Sequence, residues 1–346
     1  MPNRSAFIKL IRMDKDTSKK KKNQALVPLI RSLVSENMLE LIKECSTFMA
    51  FLADESLEKT KQHKGNSCKN RFCPICAWKK ARKDALALSI MMEYIRQEEK
   101  KEFIFLTLTA PNVEADKLND EIKHYNQSFK RLMERKEIKA VVKGYARKLE
   151  ITYNKERFIT KRMYRKAQSY YDRQGLKVGD NNPSYDTFHP HFHVILVVNK
   201  SYFTQTTQYI NHDRWLELWQ AATGNPSITQ VDVRKVRRNS GKEVQEVAKY
   251  SAKDEDYLVS EDVFKVFYKA LKGKRLIVYS GLFKDAMKKF KAGELDKYKE
   301  VDETEYVYEL LYTWGKTDYV LEEKRNLTDE QRKELNRQLI GEMEVE

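Results

Sequence analysis

Apolar residues recur along the chain at two different spacings, and each spacing predicts a type of element. Between residues 25 and 52, Leu26, Ile30 and Leu33 are three to four positions apart, which is the period of an α-helix. The segment EFIFLTLTAPN is instead rich in β-branched and aromatic residues and ends in a Pro-Asn pair, which predicts a buried strand. The same criteria predict further helices over residues 78–95, 118–138, 211–222, 241–258 and 281–290, strands over 103–109, 145–153, 191–198 and 228–236, and a hairpin over 305–325 with its turn at Gly315.

The composition narrows the class of protein. The chain has 346 residues, of which 41% are hydrophobic, so it can fill a core. Lysine and arginine number 66 against 51 acidic residues, a net charge of +15 that favours an anionic partner, nucleic acid or a membrane surface. No apolar run approaches the roughly 20 residues of a membrane span. We therefore expect a soluble, cytoplasmic protein whose first 24 residues, which include the run KKKKN, form a flexible basic arm.

Cysteines predict a metal site. Cys68, Cys73 and Cys76 lie within the segment SCKNRFCPIC, whose CPIC end is a C-x₂-C knuckle. A cytosolic location disfavours two disulfides and favours four-coordinate zinc. The fourth ligand is Cys45 or His63, and thiolate softness favours Cys45. Three unligated cysteines packed as small apolar residues are the alternative.

Basic residues follow the knuckle directly in WKKARK. Lys79, Lys80 and Arg82 are therefore candidate phosphate contacts, braced by the zinc site.

Three histidines stand at alternate positions in the segment FHPHFHVILVVN. In a strand, His191 and His193 project to one side while Phe192 packs on the other, so two imidazoles can reach one metal ion. His189 shares their parity, but Pro190 suggests that the strand begins only at His191.

A third ligand for this ion is expected on another strand. Glu150 lies in the middle of the strand LEITY, where an inward carboxylate is costly unless it meets a cation. The alternatives to a metal site are surface histidines on an edge strand and a Glu150 that faces solvent.

The segment EVQEVAKYSAKDEDY is a second candidate for chemistry. On one continuous helix Glu246 and Tyr250 share a face, and Lys253 follows on nearly the same stripe. Positive charge from Lys249 and Lys253 favours a phenolate, and tyrosine can attack a phosphodiester that a divalent ion polarises. Any one tyrosine among the 19 in the chain is more often a packing residue.

Four motifs in order, CKNRFCPICAWKKAR, FLTLTAPN, HPHFHV and EVAKYSAKDED, resemble the plasmid rolling-circle replication initiators of the Rep_1 group within the HUH endonuclease superfamily. The resemblance implies that His191, His193 and Glu150 hold Mg²⁺ or Mn²⁺. Tyr250 matches the single catalytic tyrosine, which cuts one strand at the double-strand origin, keeps the 5′ phosphate as a phosphotyrosine and frees a 3′-OH. Glu246 matches a carboxylate that activates water for the terminating cleavage.

The same resemblance assigns Lys253 to the phosphate or phenolate, Lys249 to DNA, and leaves the role of His189 open. It implies an α+β fold, in which helices flank a central antiparallel sheet of about five strands and a zinc knuckle is added. Double-stranded and single-stranded origin DNA and a host replicative helicase are the implied partners. The expected organisation is the arm over residues 1–24, a helical and zinc-knuckle DNA-binding region over 25–100, the endonuclease domain over 101–290, and a hairpin and tail of unassigned role over 291–346.

Other interpretations use part of the same residues. A zinc DNA-binding protein without catalysis explains the charge and the cysteines but gives the histidine strand no role. An HUH transposase or conjugative relaxase keeps the chemistry, although relaxases commonly place the tyrosine before the histidines. The basic and aromatic excursion over residues 155–187 either lies against DNA or is a solvated loop.

Overall fold

The computed structural model describes residues 4–205, 208–237, 241–249 and 251–343, with side chains from residue 14 onward. The chain divides into two compact units. The first is formed mainly by the chain up to Glu93 and from Lys288 onward, the second mainly by Tyr94–Val247 and Ser251–Met287. The expected separate C-terminal hairpin and tail therefore belong to the same unit as the N-terminal region.

Helices and strands are interspersed along the chain. The helices are α1 (Arg4–Ile30), α2 (Glu36–Glu44), α3 (Pro74–Gln97), α4 (Leu118–Glu134), α5 (Lys136–Val141), α6 (Lys161–Lys166), α7 (Gln168–Arg173), α8 (His212–Thr223), α9 (Lys242–Ala248), α10 (Asp254–Tyr257), α11 (Glu261–Leu271), α12 (Leu282–Lys291) and α13 (Asp329–Leu335). The strands are β1 (Phe48–Ala53), β2 (Thr60–Gly65), β3 (Lys101–Leu108), β4 (Val142–Asn154), β5 (Thr187–Asn199), β6 (Val231–Lys235), β7 (Ile277–Gly281), β8 (Tyr308–Trp314) and β9 (Tyr319–Asn326). None of the helices in the described ranges combines the length and apolar character that a membrane crossing needs.

The first unit contains a four-stranded antiparallel sheet in the order β2-β1-β8-β9. Its core includes Met49, Phe51, Leu310 and Tyr312. The predicted hairpin is present as β8 and β9, whereas the helix predicted to reach residue 52 is wrong beyond α2. The apolar run FMAFLA is compatible with either a buried strand or a helix. Its pairing with β8 stabilises the strand.

The N-terminal segment differs from the flexible arm that the sequence suggested. It forms α1, in which Lys20 and Asn23 are fully buried. Thr17 donates a 2.5 Å hydrogen bond to Asp318 beside β9. Buried polar contacts of this kind hold the lysine-rich helix within the first unit.

The second unit is built on a five-stranded antiparallel sheet in the order β6-β3-β5-β4-β7. This sheet confirms the predicted α+β class, and β7 is the strand that the sequence left unassigned. One face is covered by α4 and α8, where Phe192 of β5 packs against Tyr125 and Phe129 at ring distances of 5.9 and 5.8 Å. The residues that alternate with Phe192 along β5, among them His191 and His193, therefore lie on the opposite face of the sheet.

Pro190 does not delay the start of β5, which begins at Thr187. Pro190 lies opposite Ile151, whose N–H donates to the Ser251 carbonyl on the other side of β4 at 2.8 Å. Since the two residues form a non-hydrogen-bonded pair, the missing N–H of proline costs this ladder nothing.

The single helix predicted over residues 241–258 is wrong. Helix α9 ends at Ala248, and a new short helix, α10, begins at Asp254. Lys253 is extended, with φ −73° and ψ 143°, and occupies the N-cap position of α10. Glu246 and Lys253 therefore do not share one helical stripe.

Candidate functional site

Two histidines and a carboxylate converge on the face of the second unit's sheet that lies opposite α4 and α8. Glu150 of β4 lies directly opposite His191 of β5, and alternation places His193 on the same face. The Glu150 Oε2 atom is 3.3 Å from His191 Nε2 and 2.9 Å from His193 Nε2. The structure thus brings together the three residues that the sequence singled out as one metal-binding group.

The outer ring nitrogens show which tautomer the geometry favours. His191 Nδ1 is 3.2 Å from the His189 carbonyl, and His193 Nδ1 is 3.2 Å from Thr107 Oγ1. Because the His189 carbonyl can only accept, His191 Nδ1 donates to it, and in the neutral ring His191 Nε2 is then free to act as a ligand. The Thr107 hydroxyl can donate or accept, so it is compatible with either tautomer of His193. Two imidazole nitrogens and a carboxylate oxygen that meet at one point form a donor set that fits a divalent ion.

The electrostatics of the group reflect its burial. Burial raises the pKa of the Glu150 carboxyl, but hydrogen bonds and charge from His191 and His193 outweigh it and hold that pKa below its usual range. Burial and the neighbouring His191 lower the pKa of His189 to about 4, against a hydrogen bond to the Ala110 carbonyl. His189 stacks on His191 at 5.1 Å but, within the described ranges, its ring is not part of the three-residue group.

Glu246 approaches the same group from α9. Its Oε2 atom is 4.0 Å from His193 Nδ1, and its Oε1 atom accepts a 2.9 Å hydrogen bond from Arg234. Arg234 also contacts Glu243 at 3.3 Å and lies over the Phe105 ring at 4.4 Å. This network fixes the direction of the Glu246 carboxylate.

The segment after residue 250 runs beside β4. The Ser251 carbonyl accepts from the N–H of Ile151, next to Glu150, and the buried Asp256 carboxyl accepts from the Tyr153 backbone. Burial raises the pKa of Asp256 to about 6.

The predicted nucleophile, Tyr250, lies outside the described residues. Lys249 is half-buried and Lys253 is exposed. Tyr257, the nearest tyrosine further along the chain, is buried against Phe264 and Phe267.

The four cysteines form a second group, in the first unit. Cys45 Sγ is 3.5 Å from Cys76 and 3.6 Å from Cys73, and Cys68 is 3.5 Å from Cys76. Thiolates on one tetrahedral ion with bonds of about 2.3 Å would be about 3.8 Å apart, close to these distances. The donor set is therefore suited to a single four-coordinate metal ion.

Of the two candidates for the fourth ligand, Cys45 lies with the other thiols and His63 does not. Cys45 belongs to the thiol group, whereas His63 Nε2 is 2.5 Å from Glu309 Oε1 in the sheet. Helix α1 supports the thiols from behind, because Lys20 donates to the Cys45 carbonyl at 2.7 Å and Asn23 donates to Cys73 Sγ at 3.4 Å.

The three basic residues after the knuckle lie on α3. Lys79 is half-buried, and Lys80 is exposed and forms a helix-surface ion pair with Asp84 at 2.6 Å. Arg82 is buried, 3.1 Å from Glu342 and stacked on Trp78 at 4.9 Å. This placement does not support the predicted DNA contact by Arg82.

Sequence reasoning missed three residues that position these groups: Thr107, Arg234 and Lys20. Thr107 and Arg234 could have been found by parity, since they alternate with apolar residues in FLTL and VDVRKV. Lys20 carried no signal, because it stands in a run of four lysines.

A family model described as "Replication protein", Rep_1, matches residues 59–320. A Staphylococcus aureus protein named "Protein rep" is 52% identical over 249 residues, which cover 72% of this chain and 96% of that protein. A Bacillus amyloliquefaciens "Protein rep" is 29% identical over 315 residues, covering 82% of this chain and 84% of the relative. No solved structure matches the chain. The family match over most of the chain confirms the resemblance drawn from its motifs: the protein belongs to the Rep_1 family of replication proteins.

Proposed function

We propose that the protein initiates plasmid replication by nicking one strand of origin DNA with Tyr250 as the nucleophile. The Tyr250 hydroxyl oxygen attacks the scissile phosphorus, the bond to the 3′ oxygen breaks, and the leaving oxygen takes a proton to become a 3′-OH. The protein keeps the 5′ phosphate as a phosphotyrosine. The convergence of two imidazole nitrogens and a carboxylate oxygen at His191, His193 and Glu150 is the observation that carries the proposal, since this donor set suits a cation beside a nucleic-acid substrate.

His191, His193 and Glu150 would hold a divalent ion through two imidazole nitrogens and one carboxylate oxygen. When bound, the ion polarises the phosphoryl oxygens of the scissile phosphate. As an acceptor from His193 Nδ1, the Thr107 hydroxyl would keep His193 in the tautomer that presents Nε2 to the site. Mn²⁺ suits this donor set better than Mg²⁺, which prefers oxygen ligands.

Chain connectivity supports Tyr250 over the other tyrosines. Four residues before it, the Glu246 carboxylate approaches His193, and directly after it Ser251 is hydrogen-bonded beside Glu150. In this proposal Lys249 and Lys253 favour the phenolate or contact phosphate.

Glu246 is proposed as the base that activates water in the terminating step. Arg234 holds its carboxylate in place from the side away from His193 Nδ1. Hydrolysis of a phosphotyrosine ends replication, whereas transfer to a new 3′-OH rejoins the strand.

The four cysteines are proposed to hold structural zinc. A closed thiolate site leaves no position for substrate, so its role is to brace the first unit, from which Lys79 and Lys80 can reach phosphate. Double-stranded origin DNA would be the first ligand, and a host replicative helicase is the expected partner for unwinding beyond the nick.

The proposal is tested with a supercoiled plasmid that carries the cognate origin. Wild-type protein with Mn²⁺ should convert it to a nicked circle and leave a protein-linked strand on a denaturing gel. A nicked circle with no protein-linked strand would reject the tyrosine mechanism, while nicking that persists unchanged in Tyr250→Phe would reject Tyr250.

A further inference from the structure

The connection between β4 and β5 leaves the sheet at the end nearest the metal-binding group. The two strands carry all three proposed ligands, and their last pair is Asn154 with Thr187. Asn154 is four residues beyond Glu150, or about 13 Å along a strand. Residues 155–186 therefore leave the sheet about 13 Å from the proposed metal ligand Glu150.

This insertion is an ordered part of the second unit. The Ile159 N–H donates to the Asp180 carbonyl, and the Ile159 carbonyl accepts from the Gly179 N–H, both at 2.9 Å. Asn182 is buried. Its backbone N–H donates to the Arg157 carbonyl at 2.9 Å, and its side-chain amide donates to the Glu156 carbonyl at 2.8 Å. Ile159 and Tyr171 supply its small buried core.

Aromatic rings are exposed on this ordered scaffold. Phe158 is 53% exposed, Tyr185 45% and Tyr170 42%. The guanidinium of Arg157 lies 5.8 Å from the Phe158 ring. Exposed rings on a rigid segment can accept the faces of unpaired bases at little ordering cost.

The insertion carries a group of basic side chains that suits an anionic ligand. Helix α6 has the sequence KRMYRK. Its four cationic side chains are those of Lys161, Arg162, Arg165 and Lys166. Three of the four acidic residues of the insertion accept hydrogen bonds: Asp172 from the Tyr164 hydroxyl, Asp180 from the Lys177 N–H, and Asp186 from the Tyr153 hydroxyl of β4. The fourth, Glu156, is exposed next to Arg157.

We propose that residues 155–186 are the docking surface for the unpaired DNA strand beside the scissile phosphate, with α6 contacting phosphates and Phe158 stacking on a base. The proposal rests on the proposed function in that the docked strand is the one that Tyr250 cuts. Duplex DNA is disfavoured as the occupant, because the faces of paired bases are already stacked.

The test measures binding of the full-length protein to a fluorescein-labelled 30-mer single strand and to the same sequence as duplex, without a divalent ion. One variant replaces Arg162, Arg165 and Lys166 by glutamine. A matched control replaces Lys130, Lys136 and Lys139 by glutamine. These three lie in α4 and α5, at the other end of β4. A third variant is Phe158→Ala, and melting temperatures check that every variant is folded.

We expect the α6 variant to reduce the slope of log K against log salt for single strands by about 2, at about 0.7 per lost phosphate contact. The control should leave the slope unchanged. Phe158→Ala should weaken single-strand binding about fivefold or more and leave duplex binding alone.

Equal effects of the α6 variant and its control, or an equal loss of single-strand and duplex binding in Phe158→Ala, would overturn the proposal. Because binding is measured without cleavage, a wild-type protein that binds through α6 but forms no DNA adduct would refute the proposed nicking function and not this surface.

Discussion

Thr107→Val tests whether the hydroxyl beside His193 tunes the metal site. Valine keeps the shape of threonine and removes the Oγ1 atom that lies 3.2 Å from His193 Nδ1. Losing the bond frees the ring to change tautomer or rotate, so that Nε2 no longer faces Glu150. We expect weaker binding of Mn²⁺ with an unchanged number of sites.

The size of this effect follows from the kind of bond that is lost. A neutral hydrogen bond contributes about 0.5–1.5 kcal/mol, or about 2- to 12-fold in affinity. Partners that orient a metal-ligating histidine typically change affinity by about 10- to 100-fold. Since the distance of 3.2 Å is long for a strong bond, we expect a loss near the overlap of the two ranges, about tenfold.

The assay is calorimetric titration of the purified protein with Mn²⁺. Thr109→Val is the matched control, because the Thr109 hydroxyl also makes a 3.2 Å hydrogen bond, but to the Gln230 carbonyl. If Thr107→Val binds Mn²⁺ within twofold of wild type, or if Thr109→Val loses as much, Thr107 does not position His193.

Three further substitutions separate the roles of the remaining residues. Glu150→Gln should slow nicking at limiting Mn²⁺ and recover at high Mn²⁺, and failure to recover in a nicking titration would remove Glu150 from the ligand set. Glu246→Gln should still form the covalent adduct but hydrolyse it about 10²- to 10⁴-fold more slowly, so that adduct accumulates on denaturing gels; normal turnover of the adduct would contradict the assignment. Lys20→Met should lower the free energy of unfolding by about 2–4 kcal/mol in urea, since it removes buried charged hydrogen bonds to the Cys45 and Lys43 carbonyls; an unchanged midpoint would show that α1 contributes little.

The histidine strand was predictable because its pattern is local. Alternating histidines followed by VILVV favour a strand, and strand parity places His191 and His193 on one face. A carboxylate in the middle of the strand LEITY was the best candidate for their partner, although a solvent-facing position was also open to it. Each of these inferences depends on local sequence, and the structure brings the three residues together.

Other features depend on contacts that local sequence does not contain. Nothing in KKKKN distinguishes Lys20 from its neighbours, and only the carbonyls of Lys43 and Cys45 make that one lysine a buried residue. The helical pattern over residues 241–258 continues through the break after Ala248, where a bond from Ile151 to Ser251 holds the chain against β4 instead. Tertiary hydrogen bonds override helix propensity at that point.

The central claim is that Tyr250 becomes covalently joined to the 5′ end of the cut strand. The direct measurement is mass spectrometry of the protein after reaction with supercoiled origin plasmid and Mn²⁺, followed by nuclease and protease digestion. We predict a nucleotide phosphate on the peptide that contains Tyr250, located on the tyrosine oxygen and absent from the Tyr250→Phe variant. A nucleotide on any other residue, or complete nicking with a free 5′ phosphate and no modified peptide, would contradict the account.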